Sequence, residues 1–329
     1  MQPLLWGDFM KKSSFFGAII SIALLFTSCG SDITTTVIRP AELNLNGAES
    51  ICVLPFQSNQ YSDSDLVKIL DFFVFGRVDD SEPARNIADY ITVNLTNSLL
   101  NSGFMNVVGS KRVEMAINNG NSIPCDVYLT GYLSNFDNYI KETWSDVDER
   151  YSFYRSVKFT VTYEIIDAKT NYVIGRKYYN VSRESGSYRH RRDVPSAISV
   201  VESELDSMIN KIMHQLEPYE ETKYLNLLDD KSKSEDMKAA KKLAQQGFLE
   251  IAYKQYYTIY TTRGLFEAGY NSGIILEALG DYEGAEAIMN QLYMQTRNNK
   301  VLNALSDIRK ERALNNTLQN QLYSRRSVR

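Results

Sequence analysis

One long stretch of alternating residues places the strongest constraint on the fold of this chain. From Tyr151 to Asp167 the odd positions are almost all apolar or aromatic, whereas most even positions are polar. A period of two over this length is typical of an antiparallel β-strand with one face buried and the other in solvent. Turn-forming residues at 167–171 then lead into a second strand-like stretch, Tyr172 to Ser182. The pattern predicts a β-hairpin with one face covered by a core.

Apolar strands and helical stripes alternate on both sides of this hairpin. A continuous apolar strand is predicted over Ser50 to Phe56, and a helix from Pro83 to Leu99, closed by Gly103. The remaining elements are a strand at 104–108, a short helix at 112–117, a strand at 126–136 and a helix at 195–216. Strands and helices in this order predict one α+β or α/β sandwich domain, a mixed sheet with helices, over residues 49–220.

Several short strings within this domain resemble a known group of proteins. Ile51 to Phe56 is similar to an IAVLPF string, and the first helix ends in the string NSGF at 101–104. Residues 126–131 read DVYLTG, and residues 167–173 form a D-x-x-T-x-x-V hairpin. In this order they resemble the periplasmic domain shared by curli-secretion-channel lipoproteins and the lipoprotein activators of penicillin-binding proteins. The resemblance covers residues 50–216 and implies an α/β sandwich that docks other proteins without catalytic residues.

The beginning of the chain has the composition of an export signal. Lys11 and Lys12 precede the apolar run from Phe15 to Phe26, which is shorter than the roughly 20 residues that span a bilayer. Two small residues then precede Cys29, and this arrangement resembles a bacterial lipoprotein signal, whose cysteine takes a diacylglycerol before cleavage. We therefore expect a signal peptide at 1–28, with Met10 as an alternative start, and lipidation of Cys29.

This resemblance implies a Gram-negative cell envelope, with the chain held by a lipid anchor in the outer membrane. Whether the protein lies on the periplasmic or the external face stays open. Residues 29–48 begin with small and polar residues and are expected to form a flexible tether. A plain signal peptide with an incidental cysteine is the alternative.

Beyond residue 220 the sequence changes from apolar strands to charged and helical segments. Residues 221–237 are rich in Asp, Glu, Lys and Ser, which favours a solvated linker. Gly247-x4-Ala252 then recurs 33 residues later as Gly280-x4-Ala285, and the second copy resembles a tetratricopeptide repeat. An all-α domain of tetratricopeptide-like repeats is therefore expected at 238–329, with a capping helix at 300–322. A generic helical bundle is the alternative.

A tetratricopeptide array has a concave face lined by the first helix of each pair. The resemblance implies that Lys241, Gln245, Tyr270 and Glu277 lie on this face. They are the candidate partner-binding residues, and an envelope protein or a peptide is the expected partner.

Composition and motifs argue against several classes of function. The net charge is −4, and −5 once residues 1–28 with their +1 are removed, so a basic face for nucleic acid is not expected. His190 and His214 have no partner at metal-ligand spacing, and no catalytic or phosphate-binding motif is present. We expect a non-enzyme without metal or cofactor. Cys52 and Cys125 lie in apolar contexts that suit a disulfide and two buried thiols equally.

Two further segments are candidate contact surfaces. Arg189 to Arg192 is basic and predicts a solvated loop, with an anionic partner as the alternative. Leu66 to Phe75 is apolar and predicts core packing more strongly than an exposed docking patch.

These features together predict a membrane-anchored envelope lipoprotein that acts as a non-catalytic scaffold or adaptor for other proteins. A subunit of an outer-membrane secretion-channel-like oligomer is the first alternative, and it would make the chain a homo-oligomer. A cell-envelope hydrolase is the second alternative, although no carboxylate pair stands out in the sequence.

Overall fold

A computed structural model describes residues 32–58, 81–146, 149–230 and 234–326. The expected signal peptide, Cys29 and the apolar segment Leu66–Phe75 lie outside the described residues. The chain forms two compact units. Of the described residues, 38–58, 81–146, 149–219 and 315–326 belong to the α/β unit, and 32–37, 220–230 and 234–314 belong to the helical unit.

The elements are numbered in chain order over both units. The strands are β1 (Ile33–Arg39), β2 (Ser50–Val53), β3 (Gln57–Ser58), β4 (Asn106–Val107), β5 (Val127–Ser145), β6 (Arg150–Asp167), β7 (Val173–Glu184) and β8 (Tyr219–Leu225). The helices are α1 (Ser81–Ser102), α2 (Ser110–Asn118), α3 (Ala197–Leu216), α4 (Glu235–Gln245), α5 (Leu249–Arg263), α6 (Phe266–Ala278), α7 (Tyr282–Thr296) and α8 (Asn299–Arg326). This mixed α/β content followed by a helical region agrees with the expected fold class.

The α/β unit is built on a mixed sheet with the strand order β4-β2-β5-β6-β7. β2 pairs in parallel with β4 and β5, and β3 also pairs in parallel with β5. The predicted hairpin is present, because β6 pairs antiparallel with both β5 and β7. β5 continues nine residues beyond the predicted end at Phe136, because its backbone keeps pairing with β6 as far as Ser145 and Arg150. Those outer residues are mostly exposed, so hydrogen bonding rather than burial extends the strand.

Helices cover the sheet on both faces. Ile51 and Val53 of β2 join the main core with α1 and α3, whereas Cys52 between them joins a smaller core with Val113 of α2. The alternation within β6 behaves as predicted, and its apolar residues beyond position 156 are buried. The stripes of the two long helices are also buried, and they consist of Ile87, Ile91, Leu95, Leu99, Ala197, Val201, Leu205, Met208, Ile212 and Leu216.

The helical unit stacks α4 to α7 and the first part of α8 around a second core. From α4 to α7 each helix packs against the next, and turns of two or three residues join successive helices as far as α8. A Cβ on Gly273 would lie 2.7 Å from Cε of Met289, so α6 and α7 approach closely at this glycine. Glu286 of α7 bonds Arg309 and Arg312 of α8 at 2.7 and 2.8 Å. The predicted capping helix therefore coincides with α8, which continues to residue 326.

The structure differs from the sequence analysis at the expected tether and linker. Residues 33–39 of the expected tether form β1, and residues 219–225, at the start of the expected linker, form β8. The two strands pair in a separate two-stranded sheet. The run of β-branched residues in β1 suits a strand, and its buried and exposed residues alternate. β8 is charged, and its strand conformation depends on pairing with a segment that is remote in sequence.

Candidate functional site

A cleft of about 450 Å³ lies in the helical unit between β8, α6 and α8. We call it the β8 cleft. Tyr224 on β8 is 66% exposed, and Tyr270 on α6 is half-buried within the same cleft. The remaining lining combines buried apolar side chains with charged ones, and it includes Leu225, Ile274, Glu277, Lys300, Ala304, Asp307, Lys310 and Glu311. An aromatic and apolar wall with charges of both signs is suited to an extended peptide.

A buried ion cluster supports one end of this cleft. Nζ of Lys223 lies 2.6 Å from Oε1 of Glu277 and 2.8 Å from Oε1 of Glu311. The side chains of the two glutamates are only 3% and 8% exposed, and that of Lys223 is 17% exposed. The cluster thus joins β8 to both α6 and α8. Because one cation meets two carboxylates, it carries a net negative charge when all three groups are ionised.

Burial and charge change the pKa values of this cluster. Burial alone lowers the pKa of Lys223, but hydrogen bonds and charges from Glu277 and Glu311 outweigh it, so the pKa lies above its ordinary value. Burial raises the pKa of Glu277, and Lys223 offsets only part of that effect. Burial also raises the pKa of the Tyr270 hydroxyl. These groups therefore hold a protonated ammonium and a neutral phenol at physiological pH.

Two segments of the same chain lie against α6 in the helical unit. Asn271 of α6 is fully buried, and its amide forms two hydrogen bonds with the backbone of Leu228. Oδ1 accepts from the Leu228 N–H at 2.7 Å, and Nδ2 donates to the Leu228 carbonyl at 2.9 Å. At the beginning of β1, the Thr35 hydroxyl donates to the carbonyl of Ala278 at 3.3 Å. The segment after β8 and the beginning of β1 thus both contact α6.

Asp32, just before β1, holds this arrangement to α4. Its carboxylate accepts hydrogen bonds from the Leu227 N–H at 3.0 Å and from Nε2 of Gln245 at 3.2 Å. It also pairs with Nζ of Lys241 at 2.9 Å, and Lys241 pairs in addition with Asp229 at 2.7 Å. Since the start of β1 meets the end of β8 here, the two strands run antiparallel.

The four expected partner-binding residues therefore divide into two pairs. Tyr270 and Glu277 line the β8 cleft, whereas Lys241 and Gln245 contact Asp32. The spacing of the predicted repeat puts all four residues on α4 and α6. It does not indicate that β8 and the residues before β1 contact these two helices. The further residues of the site are Asp32, Lys223, Asn271 and Glu311. Of these, Asn271 had a usable signal, because a polar residue within the apolar repeat string needs a hydrogen-bond partner when buried.

The α/β unit places its sequence candidates in ordinary structural roles. The ring of His214 stacks on Tyr219 with centroids 3.7 Å apart. Cys52 and Cys125 are free buried thiols, and burial raises their pKa values to about 12 and about 11. The segment from Arg189 to Arg192, which includes His190, is exposed to solvent.

Within residues 32–58, 81–146, 149–230 and 234–326, no group of three or more His, Cys, Asp or Glu side chains is arranged to hold a metal ion. In the same part of the chain, no helix combines the length and apolar character needed to cross a membrane.

Comparisons with known proteins find likenesses in structure only. No family model matches the chain, and no curated protein matches it. A PelC dodecamer from Paraburkholderia phytofirmans is 16% identical, with a TM-score of 0.25, over 56% of this chain and 98% of the other. A putative neuraminyllactose-binding hemagglutinin homolog from Helicobacter pylori is 10% identical, with a TM-score of 0.30, over 54% and 84%. A lipoprotein from Neisseria meningitidis is 11% identical, with a TM-score of 0.25, over 51% and 96%.

At these identities and TM-scores the likenesses establish no family and carry no argument about function. The resemblances to the curli-channel lipoproteins and to tetratricopeptide repeats stay predictions from the sequence.

Proposed function

We propose that this protein is a lipid-anchored, non-catalytic docking protein of the bacterial envelope, and that the β8 cleft binds an extended segment of a protein partner. The observation that carries the proposal is the cleft itself, which presents an exposed and a half-buried tyrosine beside a strand, above the buried side chains of Leu225, Ile274 and Ala304. The anchor at Cys29 rests on the sequence pattern of residues 11–29.

The pairing of β8 supports a particular mode of binding. Among the described residues, β8 pairs with β1 alone, so its second edge has no neighbouring strand. Lys223 to Asn226 of this segment line the cleft. A partner segment could therefore add as a strand along β8, with backbone hydrogen bonds providing affinity and the tyrosines contacting alternate side chains.

Photo-crosslinking tests this proposal without knowledge of the partner. A photoreactive phenylalanine analogue at Tyr224 should crosslink a protein in intact cells, whereas the same analogue at Tyr178, exposed on β7, should not crosslink that protein. Asn303→Trp, which places a bulky ring at an exposed position of the cleft, should reduce the Tyr224 crosslink several-fold. An identical crosslink from both tyrosines, or one unaffected by Asn303→Trp, would contradict binding in the cleft.

The hairpin of β5 and β6 favours a second candidate function, a subunit of an oligomer. Its outer part extends beyond the last residue paired with β7, Glu184 opposite Ser156. There Trp144 and Tyr151 are about half exposed and contact each other edge to face, with centroids 4.9 Å apart. Exposed aromatic pairs are enriched at protein interfaces. Light scattering of the detergent-solubilised protein would distinguish a ring-sized assembly from a monomer.

A further inference from the structure

The chain is fixed to the helical unit only a few residues after Cys29. Asp32 makes three contacts with Leu227, Lys241 and Gln245, and the next residue, Ile33, is 3% exposed within the helical core. Only two residues separate Cys29 from Asp32. Whatever path they take, three Cα–Cα steps reach at most about 11 Å.

A lipid on Cys29 would therefore leave the helical unit little freedom. The Cα of Cys29 cannot lie farther than about 11 Å from the Cα of Asp32, and this distance is close to the diameter of one helix. Asp32 packs against the face of α4 that carries Lys241 and Gln245, one turn apart. Lys238, three residues before Lys241, lies on this face as well and is exposed.

We propose that the short connection from Cys29 holds this face of α4, marked by Lys238, Lys241 and Gln245, against the headgroup region of the membrane. The inference rests on the proposed anchor at Cys29 and goes beyond it, because a flexible tether over residues 29–48 would leave the orientation free. The partner that this face of α4 contacts is the lipid surface. The argument rests on the length of the chain between Cys29 and Asp32 and not on the charge of this face, because Lys238 and Lys241 already pair with Glu235 and Asp229.

Site-specific labelling of the full acylated chain in vesicles tests the inference. Lys238→Cys and Met294→Cys would each be labelled with a fluorophore in vesicles of phosphatidylethanolamine and phosphatidylglycerol that contain a headgroup-nitroxide lipid. Met294 is 71% exposed on α7, which is separated from α4 by α5 and α6 in the chain. Cys52 and Cys125 should not react, since both are buried and their raised pKa values keep them as thiols.

We expect quenching at position 238 to exceed that at position 294 at least two-fold. A flexible Gly/Ser insert of about twelve residues between Ser31 and Asp32 spans about 20 Å and should remove most of the difference. An acylated chain with equal quenching at both sites, or with quenching unaffected by the insert, would overturn the inference and leave the anchor intact. Mass spectrometry that finds no diacylglyceryl group on Cys29 would overturn both.

Discussion

At the residue scale, Gly131 on β5 lies where a side chain has no room. A Cβ at this position would lie 2.7 Å from Cδ1 and 2.8 Å from Cζ of the buried Phe56 ring. Gly131→Ala should therefore lower the free energy of unfolding of the α/β unit by about 1–3 kcal/mol, because the ring or the strand must move. Chemical denaturation measures the loss.

The matched control is Gly186→Ala, at an exposed position outside the helices and strands, where the nearest atom to an added Cβ is Cε2 of Tyr188 at 4.0 Å. Its effect should stay within about 0.5 kcal/mol. Equal destabilisation by the two substitutions would contradict the close approach of Phe56.

The Lys223 cluster predicts how the free energy of unfolding of a variant changes with pH. Lys223→Met leaves Glu277 and Glu311 buried without their cation and should cost about 3 kcal/mol near neutral pH. Because burial already raises the pKa of Glu277, its protonated form favours the folded state. The loss should therefore shrink as the pH falls toward about 5.

Denaturation of the variant and of the wild type at both pH values measures this trend. Adding Glu277→Gln to Lys223→Met should recover part of the stability at neutral pH and weaken the pH dependence. A loss that grows as the pH falls would contradict the assignment.

At the element scale, the bonds between Asn271 and Leu228 fix the segment that follows β8. Asn271→Ala removes both partners of the Leu228 backbone and should lower stability by about 1–3 kcal/mol. Hydrogen exchange should show faster exchange at residues 220–230 before any change in α5 or α7. Asn303→Ala, at an exposed position of α8, should leave exchange at those residues unchanged.

Elements with a local periodic signal could be predicted from the sequence. The alternation at 151–167 and the stripes at 87–99 and 197–216 each bury one face, so the pattern alone gives the element and its orientation. β1 and β8 could not be predicted in this way. They are about 180 residues apart in the chain, and the charges of β8 look like those of a solvated linker until its partner strand is known.

The candidate site shows the same division. The repeat spacing predicts that Tyr270 and Glu277 share one face of a helix, and both line the β8 cleft, whereas the repeat groove stays a prediction. Their partners could not be predicted, because Lys223 reaches Glu277 only once β8 crosses the helices. Local spacing gives the face of a helix, and the chain path decides what covers it.

At the scale of the whole molecule, the two units have separate hydrophobic cores. Ile51 and Leu205 belong to one, and Tyr256 and Ile275 belong to the other. The effects of Gly131→Ala and Asn271→Ala should therefore add within about 0.5 kcal/mol in the double variant. Each substitution alone should change hydrogen exchange only in its own unit. Coupling above about 1 kcal/mol would show that the cores do not respond independently.

The hydrogen bonds between Asn271 and Leu228 also affect any free ligand that binds at Asn271, because such a ligand must displace the Leu228 backbone. A segment on the same polypeptide, such as the one that contains Leu228, has an effective concentration of about millimolar or more. A free peptide that makes the same contacts would need to reach that concentration to displace the segment from half of the molecules. A synthetic copy of residues 219–230 should therefore compete poorly, and screens for ligands of this protein are better directed at the β8 cleft.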